Sequence, residues 1–286
     1  MILVFGKNGQ VASHLSKYRN VQCLDRNAAN LENPKQCRLI ILKYKPSAVV
    51  NAAAYTDVNQ AEYEIDLTNK VNTDSPRFMA MACKELNIPF IHISSEYVFD
   101  GENKKPNTED DPTRPLNHYG VTKLAAENLV IETYCKAIIL RTSWIFSSFG
   151  ENFVNKMLNL SETKSEIMIV SDQVGGPTPA SSIAQTIIAI LKKLETENVY
   201  SGNFGLYHYS GWPDVSWADF AREIFHKNKN QTKVIDILSK DYTPSATRPI
   251  NSTLDCSRIL RDFEIERPEW KLELAQMLIK RSKRNR

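Results

Sequence analysis

An alternation between two kinds of segment constrains this chain more than any other feature. Five short apolar runs, Ile2–Phe5, Val21–Leu24, Ala48–Asn51, 90–93 and 137–141, are separated by longer stretches of mixed polarity at 10–18, Pro34–Tyr44, 74–86 and 119–134. Runs that stay apolar at every position suit strands covered on both faces, and strands joined by helix-length segments pair in parallel. The pattern predicts an α/β chain, a Rossmann-type doubly wound parallel sheet. Beyond Arg141 the alternation loosens. Asp172-Gln-Val-Gly-Gly-Pro-Thr-Pro179 is rich in turn residues, and a helix is expected at about 181–194, a strand at 205–210, a helix at 217–226, a loop at 242–248 and a last helix toward the C-terminus. This part predicts a smaller, discontinuous α/β lobe.

Composition narrows the function classes. A chain of 286 residues, 42% of them hydrophobic, can bury a sizeable core. Its 36 basic and 33 acidic residues leave a net charge of +3, with no basic stripe interleaved with aromatics, so nucleic acid is not an expected partner and a small molecule is. No run approaches the roughly 20 apolar residues of a membrane helix. The opening Met1–Phe5 passes straight into Gly6 without a cleavage region, so the expectation is no membrane and a cytoplasmic location. Cys23, Cys37, Cys83, Cys135 and Cys256 are odd in number and lack a Cys-x-x-Cys pair, which suits reduced thiols. No compact cluster has metal-ligand spacing, so no metal is expected. The basic end, 280–286, reads as solvated.

Three motifs carry chemistry. Gly6-Lys-Asn-Gly9-Gln10-Val11-Ala12 follows the first strand and opens the first helix. Gly6 permits a tight turn, Gly9 lets a pyrophosphate approach the backbone, and the exposed amides favour an anion. An ordinary strand-to-helix turn is the rival reading, and the flanking strand and helix favour a dinucleotide. Asp25, after the second strand, can accept from an adenosine ribose and so favours NADH, whereas Arg26 can pair with a 2′-phosphate and favours NADPH; use of both is expected. Tyr119 and Lys123, four apart, share one helix face. A phenol with an ordinary pKa of about 10 needs such a cation to exchange protons near neutrality. Within His92-Ile-Ser-Ser-Glu-Tyr-Val-Phe-Asp-Gly101, Ser95 falls at the carboxyl end of the fourth strand, where it can donate to a substrate carbonyl. A surface Tyr–Lys pair and a serine satisfying local backbone are the plain readings. Coincidence with Gly6 and Gly9 favours an active site.

The words Phe5-Gly-Lys-Asn-Gly-Gln10, Val50-Asn-Ala-Ala-Ala-Tyr-Thr56, Ser94-Ser-Glu-Tyr-Val-Phe-Asp-Gly101, Pro115-Leu-Asn-His-Tyr-Gly120, Arg141-Thr-Ser-Trp144, Asp172-Gln-Val-Gly-Gly-Pro-Thr178 and Arg248-Pro-Ile-Asn-Ser252 run across nearly the whole chain. In these the chain resembles the extended short-chain dehydrogenase/reductases and, within them, the dTDP-4-dehydrorhamnose reductase family. The resemblance implies an oxidoreductase of dTDP-rhamnose and polysaccharide biosynthesis that uses NADPH or NADH to reduce the 4-keto group of a nucleotide-linked 6-deoxyhexose. It implies Ser95, Tyr119 and Lys123 as the catalytic set: Tyr119 as general acid, Lys123 on the nicotinamide ribose, Ser95 on the developing oxygen charge. Asn30 and Leu31 would meet the adenine, and Ala52, Ala53 and Tyr55 would line the cofactor groove. Thr56, Val58, Ser95, Tyr97, Trp144, Asn152, Gln173 and Pro177 are implied sugar and nucleotide contacts; Arg248 is either a diphosphate ligand or a loop brace.

The same resemblance implies a dinucleotide-binding part at 1–150 and 175–210 and a substrate lobe at 151–174 and 211–286, and admits a homodimer. Departures from the family pattern are Ala12 for glycine, Asn30 for aspartate, Ser95 for threonine, Glu96 for aspartate and Asn59-Gln60 for Asp-Lys. Ser95 keeps a hydroxyl and Asn30 an acceptor. A sister reductase acting on another nucleotide 4-keto-6-deoxysugar fits these residues as well. Two other classes stay open: a non-catalytic binding subunit, like the regulatory subunit of methionine adenosyltransferase, and an epimerase or dehydratase that keeps its cofactor bound.

Overall fold

The protein is described by a computed structural model covering residues 1–196, 203–228 and 230–284. Six strands form its frame: β1 (Ile2–Phe5), β2 (Val21–Leu24), β3 (Ala48–Asn51), β4 (Phe90–Ser95), β5 (Ala137–Thr142) and β6 (Gly205–His208). They lie in the order β6-β5-β4-β3-β1-β2, every pairing parallel. The chain reverses its winding between β1 and β3, which opens a crevice at the carboxyl ends of the strands. β4 runs two residues beyond its expected end, pairing Ser94 with Arg141 and Ser95 with Thr142. The serines therefore reach the rim on rigid sheet.

Helices cover both faces. α1 (Gln10–Leu15) and α5 (Ala180–Thr196) close one side. α2 (Pro34–Tyr44), α3 (Ser75–Leu86) and α4 (His118–Thr133) close the other, with Ile41, Met79, Cys83 and Val130 in one apolar cluster. α2 has Pro34 in its first turn, an Asn33 cap accepting from Gln36 N, and a left-handed Lys45 at its end. α1 stops short of the expected 18 because its last turn tightens, with Lys17 N donating to His14 O and Tyr18 N to Leu15 O.

A smaller lobe has its own core, in which Phe146, Val154, Ile167, Phe220, Trp270 and Leu274 are buried together. Its parallel pair, Glu166–Val170 with Lys233–Ile237, and its helix Phe153–Ser161 were not anticipated; α6 (Trp217–Lys227) and the helix Trp270–Arg284 were. Leu254, Ile259 and Phe263, placed in the substrate lobe by sequence, pack with α5 against the large sheet. Ile259 and Phe263 share one face of the short helix Ser257–Phe263 and turn it toward that core. Residues 197–202, inside the proposed dinucleotide part, and 285–286 of the basic end lie outside the described residues.

One glycine locks the frame to the rim. A Cβ at Gly120 in α4 would lie 2.2 Å from the carbonyl oxygen of Tyr97 and 2.9 Å from Cβ of Pro115. Gly120→Ala is therefore predicted to lower unfolding free energy by about 1–3 kcal/mol, read from denaturant midpoints. An unchanged midpoint would contradict this close approach.

Candidate active site

The crevice is a cleft of about 720 Å³ whose wall begins at the glycine turn. Gly6 has φ +101°, and a Cβ there would sit 3.0 Å from both Ala52 O and Ala53 Cα. The turn is pinned by Gly6 N and Lys7 N donating to Leu24 O (3.0 and 2.9 Å) and by Gly9 N donating to Gly6 O (2.8 Å). Gly6, Gly9, Gln10, Val11, Ala52 and Ala53 all line the cleft, as do Asp25 and Arg26. Asn30, Leu31 and Tyr55 line an adjoining pocket of about 200 Å³, which Asp25 and Arg26 also border. Asp25 Oδ1 accepts from Ala28 N (3.0 Å), and the Arg26 guanidinium pairs with Glu32.

Ser95, Tyr119 and Lys123 come together at the carboxyl end of β4. The α4 cap, Asn117, accepts from Gly120 N (2.8 Å) and starts the helix one residue before Tyr119. Lys123 is almost wholly buried, and its Nζ donates to Ile93 O (2.7 Å) and lies 3.3 Å from His92 Nε2. Burial pushes its pKa down to about 8, against the pull of Glu127. Burial and the neighbouring Glu96 push the Tyr119 phenol well above its ordinary value, with the Ser95 hydroxyl opposing. Ser95 Oγ donates to Glu96 Oε2 (2.8 Å) and accepts from Tyr97 N (3.3 Å), capping the short turn Glu96–Val98. Burial raises the Glu96 carboxyl to about 7, and burial then Glu96 raise the Tyr97 phenol to about 12.

The residues expected at the sugar and nucleotide divide into two groups. Thr56, Val58, Tyr97 and Trp144 line the cleft, with the Tyr97 and Tyr119 rings edge to face at 5.7 Å. Asn152, Gln173, Pro177 and Arg248 do not line it. The Asn152 amide donates to Gln10 Oε1 and to the Ser147 and Phe149 carbonyls, and Gln173 donates to Ser239 Oγ (3.0 Å). Pro177 is buried, its carbonyl packed against Gly211. Arg248 donates to Ala246 O and Asn59 Oδ1 (3.3 Å each) and is close enough to Tyr97 to pull that phenol down, which favours the brace over an open phosphate ligand.

Several site residues escaped the sequence reading. Trp217 lines the cleft and stacks on Trp144 at 3.5 Å between centroids, while Trp144 holds a left-handed φ of 45°, a strained backbone of the kind found at ligand sites. Thr142 also lines the cleft, and its buried Oγ1 has no hydrogen-bond partner. Asn51 reaches His92 Nδ1 (3.1 Å), and His92 in turn backs Lys123. Burial and Lys123 hold His92 well below its ordinary value, so it stays neutral. Asn72, in a π-helical turn over Lys70–Asp74, holds Tyr55 by its amide nitrogen and carbonyl (2.8 and 3.1 Å). Behind the rim, Glu127 and Arg141 form a buried ion pair at 2.6 Å, with Ser94 donating to Glu127 and His208 Nε2 facing Arg141 Nη1 at 3.3 Å.

A glycine turn after β1 and a serine, tyrosine and lysine converging beyond β4 define an extended short-chain dehydrogenase/reductase. Residues 1–282 match the family model described as the RmlD substrate binding domain, and the chain belongs to that family, which is that of the dTDP-4-dehydrorhamnose reductases. It is similar to the dTDP-4-dehydrorhamnose reductase of Aggregatibacter actinomycetemcomitans, with 37% identity covering 96% of this chain and 97% of that one. The crystal structure of a dTDP-4-dehydrorhamnose reductase from Clostridium acetobutylicum superimposes with a TM-score of 0.91 at 32% identity, covering 98% and 99% of the two chains. That of the Bacillus anthracis reductase, solved in complex with NADP, gives 0.89 at 30% identity, covering 98% of each.

The buried pair behind the rim should dominate local stability. Arg141→Met strands the Glu127 carboxylate and is expected to cost about 3–5 kcal/mol in chemical denaturation, whereas Arg141→Met with Glu127→Met should recover most of that loss. A double variant no better than the single would contradict the pairing.

Proposed function

We propose that the protein is an NAD(P)H-dependent reductase of the 4-keto group of a nucleotide-linked 6-deoxyhexose, converting dTDP-4-dehydro-L-rhamnose to dTDP-L-rhamnose. The observation that carries this reading is the convergence of Ser95, Tyr119 and Lys123 in the same cleft as the glycine turn.

A dinucleotide suits the residues present. Gly6 and Gly9 leave their wall of the cleft without side chains, and the orphaned Thr142 hydroxyl wants a partner that a ligand would supply. In this reading Gly6, Gly9, Gln10 and Val11 meet the pyrophosphate, Asn30, Leu31 and Tyr55 flank the adenine, and Lys123 holds the nicotinamide ribose. A reduced nicotinamide, when bound, would supply hydride to C4. As the carbonyl π pair moves onto oxygen, Ser95 donates a hydrogen bond to it and Tyr119 gives up its phenolic proton, so the product is the alcohol. A phenol pushed above its ordinary value stays protonated at neutral pH, as a reductase's acid must. Lys123, with a pKa of about 8, is still mostly cationic there and steadies the phenolate left behind. Trp144 and Trp217 offer an apolar wall for the deoxysugar.

With Arg26 tied to Glu32 and Asp25 serving its own turn, neither cofactor is singled out, and we propose use of both. We propose 1–150 and 175–210 as the cofactor part and 151–174 and 211–286 as the substrate lobe, whose Leu254, Ile259 and Phe263 pack back on the large sheet. No helix among the described residues is long and apolar enough to cross a membrane, and a cytoplasmic location accompanies the proposal. Sedimentation would report whether the chain forms the homodimer this reading admits.

The test generates the keto sugar from its precursors and follows oxidation of NADPH and of NADH separately. Oxidation should require the sugar, and Tyr119→Phe should slow it by about 100-fold or more. Folded wild-type protein without turnover on either cofactor would refute this substrate, and turnover on a different nucleotide keto sugar would identify the sister reductase.

A further inference from the structure

Glu96 lines the cleft beside Ser95 and Tyr119, and the reduction described above gives it no task. It is 4% exposed, and its Oε2 lies 2.8 Å from Ser95 Oγ. A serine hydroxyl has one proton to donate, and an ionised carboxylate can only accept. The backbone N–H of Tyr97 already donates to Ser95 Oγ (3.3 Å), so with Glu96 ionised the single Ser95 proton is held by the carboxylate. A substrate carbonyl oxygen would then face a hydroxyl with nothing to give.

We propose that Glu96 is a positioning residue that sets the direction of the Ser95 proton: protonated, it donates to Ser95 Oγ and releases that proton to the substrate carbonyl, and ionised, it withdraws it. No proton leaves Glu96 in the catalytic step. The carboxyl O–H, the Ser95 O–H and the carbonyl oxygen form a chain of donated hydrogen bonds, and the proton gained by the alkoxide is that of Tyr119. Ionised Glu96 also places negative charge beside the oxygen on which charge develops.

The groups around Glu96 can bear this role. Tyr97 shares its turn and Tyr119 meets its charge from α4, while Lys123 lines the same cleft with its ammonium turned to Ile93 O and neutral His92 on β4, and Glu127 lies a helical turn further on. Arg248 and Tyr242, from the loop beyond, bear on Tyr97. Burial is the main influence on the carboxyl and brings it to about 7, with the Ser95 hydrogen bond and its own backbone amide opposing, so both protonation states are reached near neutrality.

This inference rests on the reductase reading, and its test separates the two. In wild type, kcat/KM should fall about twentyfold between roughly pH 6 and pH 8, about tenfold from a group centred near 7 and about twofold from Lys123 near 8. In Glu96→Gln the rate at pH 6 should lie lower, since an amide is a weaker donor, and only the about twofold fall of Lys123 should remain. A fall of about tenfold or more retained in Glu96→Gln would overturn the proposal. Infrared spectroscopy of the protein without substrate gives an independent reading, which stands even where Glu96→Gln does not fold. A carboxylic-acid C=O band should disappear over the same pH interval, and Ser95→Ala should move its loss to higher pH. No such band, or one unmoved by Ser95→Ala, overturns the coupling. Wild type that turns over at no pH would refute the reductase reading alone, with the infrared titration still deciding on Glu96 and Ser95.

Discussion

The cleft depends on holding one ammonium, that of Lys123, where almost no water reaches it. An unpaired buried charge is among the most costly groups a fold can contain, and the surrounding structure answers that cost. The Ile93 carbonyl accepts a hydrogen bond from it at 2.7 Å, His92 at 3.3 Å stands beside it, and Glu127 lies one helical turn away. Those partners are themselves fixed. His92 is backed by Asn51 from the neighbouring strand, and Glu127 is tied to Arg141 on β5 and to Ser94 on β4. Lys123 is thus held by three strands and its own helix.

The same packing sets the proton chemistry. Desolvation lowers an ammonium and raises a phenol or a carboxyl, and all three occur within one small volume. Tyr119 keeps its proton, Lys123 comes within reach of neutral pH, and Glu96 becomes a group that titrates near 7 rather than an ordinary carboxylate. The glycine at 120 makes this possible, because only its missing side chain lets α4 approach the Tyr97 carbonyl and bring Tyr119 beside Ser95 and Glu96.

Much of this was legible in the sequence because it is local. Continuous apolar runs located the five first strands, the spacing of four placed Tyr119 and Lys123 on one face, and the position after β1 marked the glycine turn. What escaped depends on register or on distant pairing. The Asn51–His92 contact exists because those residues are opposite one another across β3 and β4. Trp217, at the start of α6, meets Trp144 in the bend after β5, and Thr142 reaches the rim only because β4 and β5 each extend past the apolar run that announces them. The converse also holds: Asn152 and Gln173 look like ligands in a one-dimensional reading, yet other parts of the chain occupy their amides. The stretch from Leu254 to Phe263 follows the breaker-rich loop in sequence but returns to the large sheet, a long-range choice that no short window records.

In the proposed reaction hydride enters the sugar from a dissociable nicotinamide and stays there. Supplying NADPH deuterated on the transferred position and examining the sugar product by mass spectrometry and NMR tests this. One deuterium at C4 is expected for each cofactor oxidised. A released sugar without deuterium, formed with no net cofactor oxidation, would show a bound cofactor returning its hydride to the same sugar, as in an epimerase or dehydratase, and would contradict it.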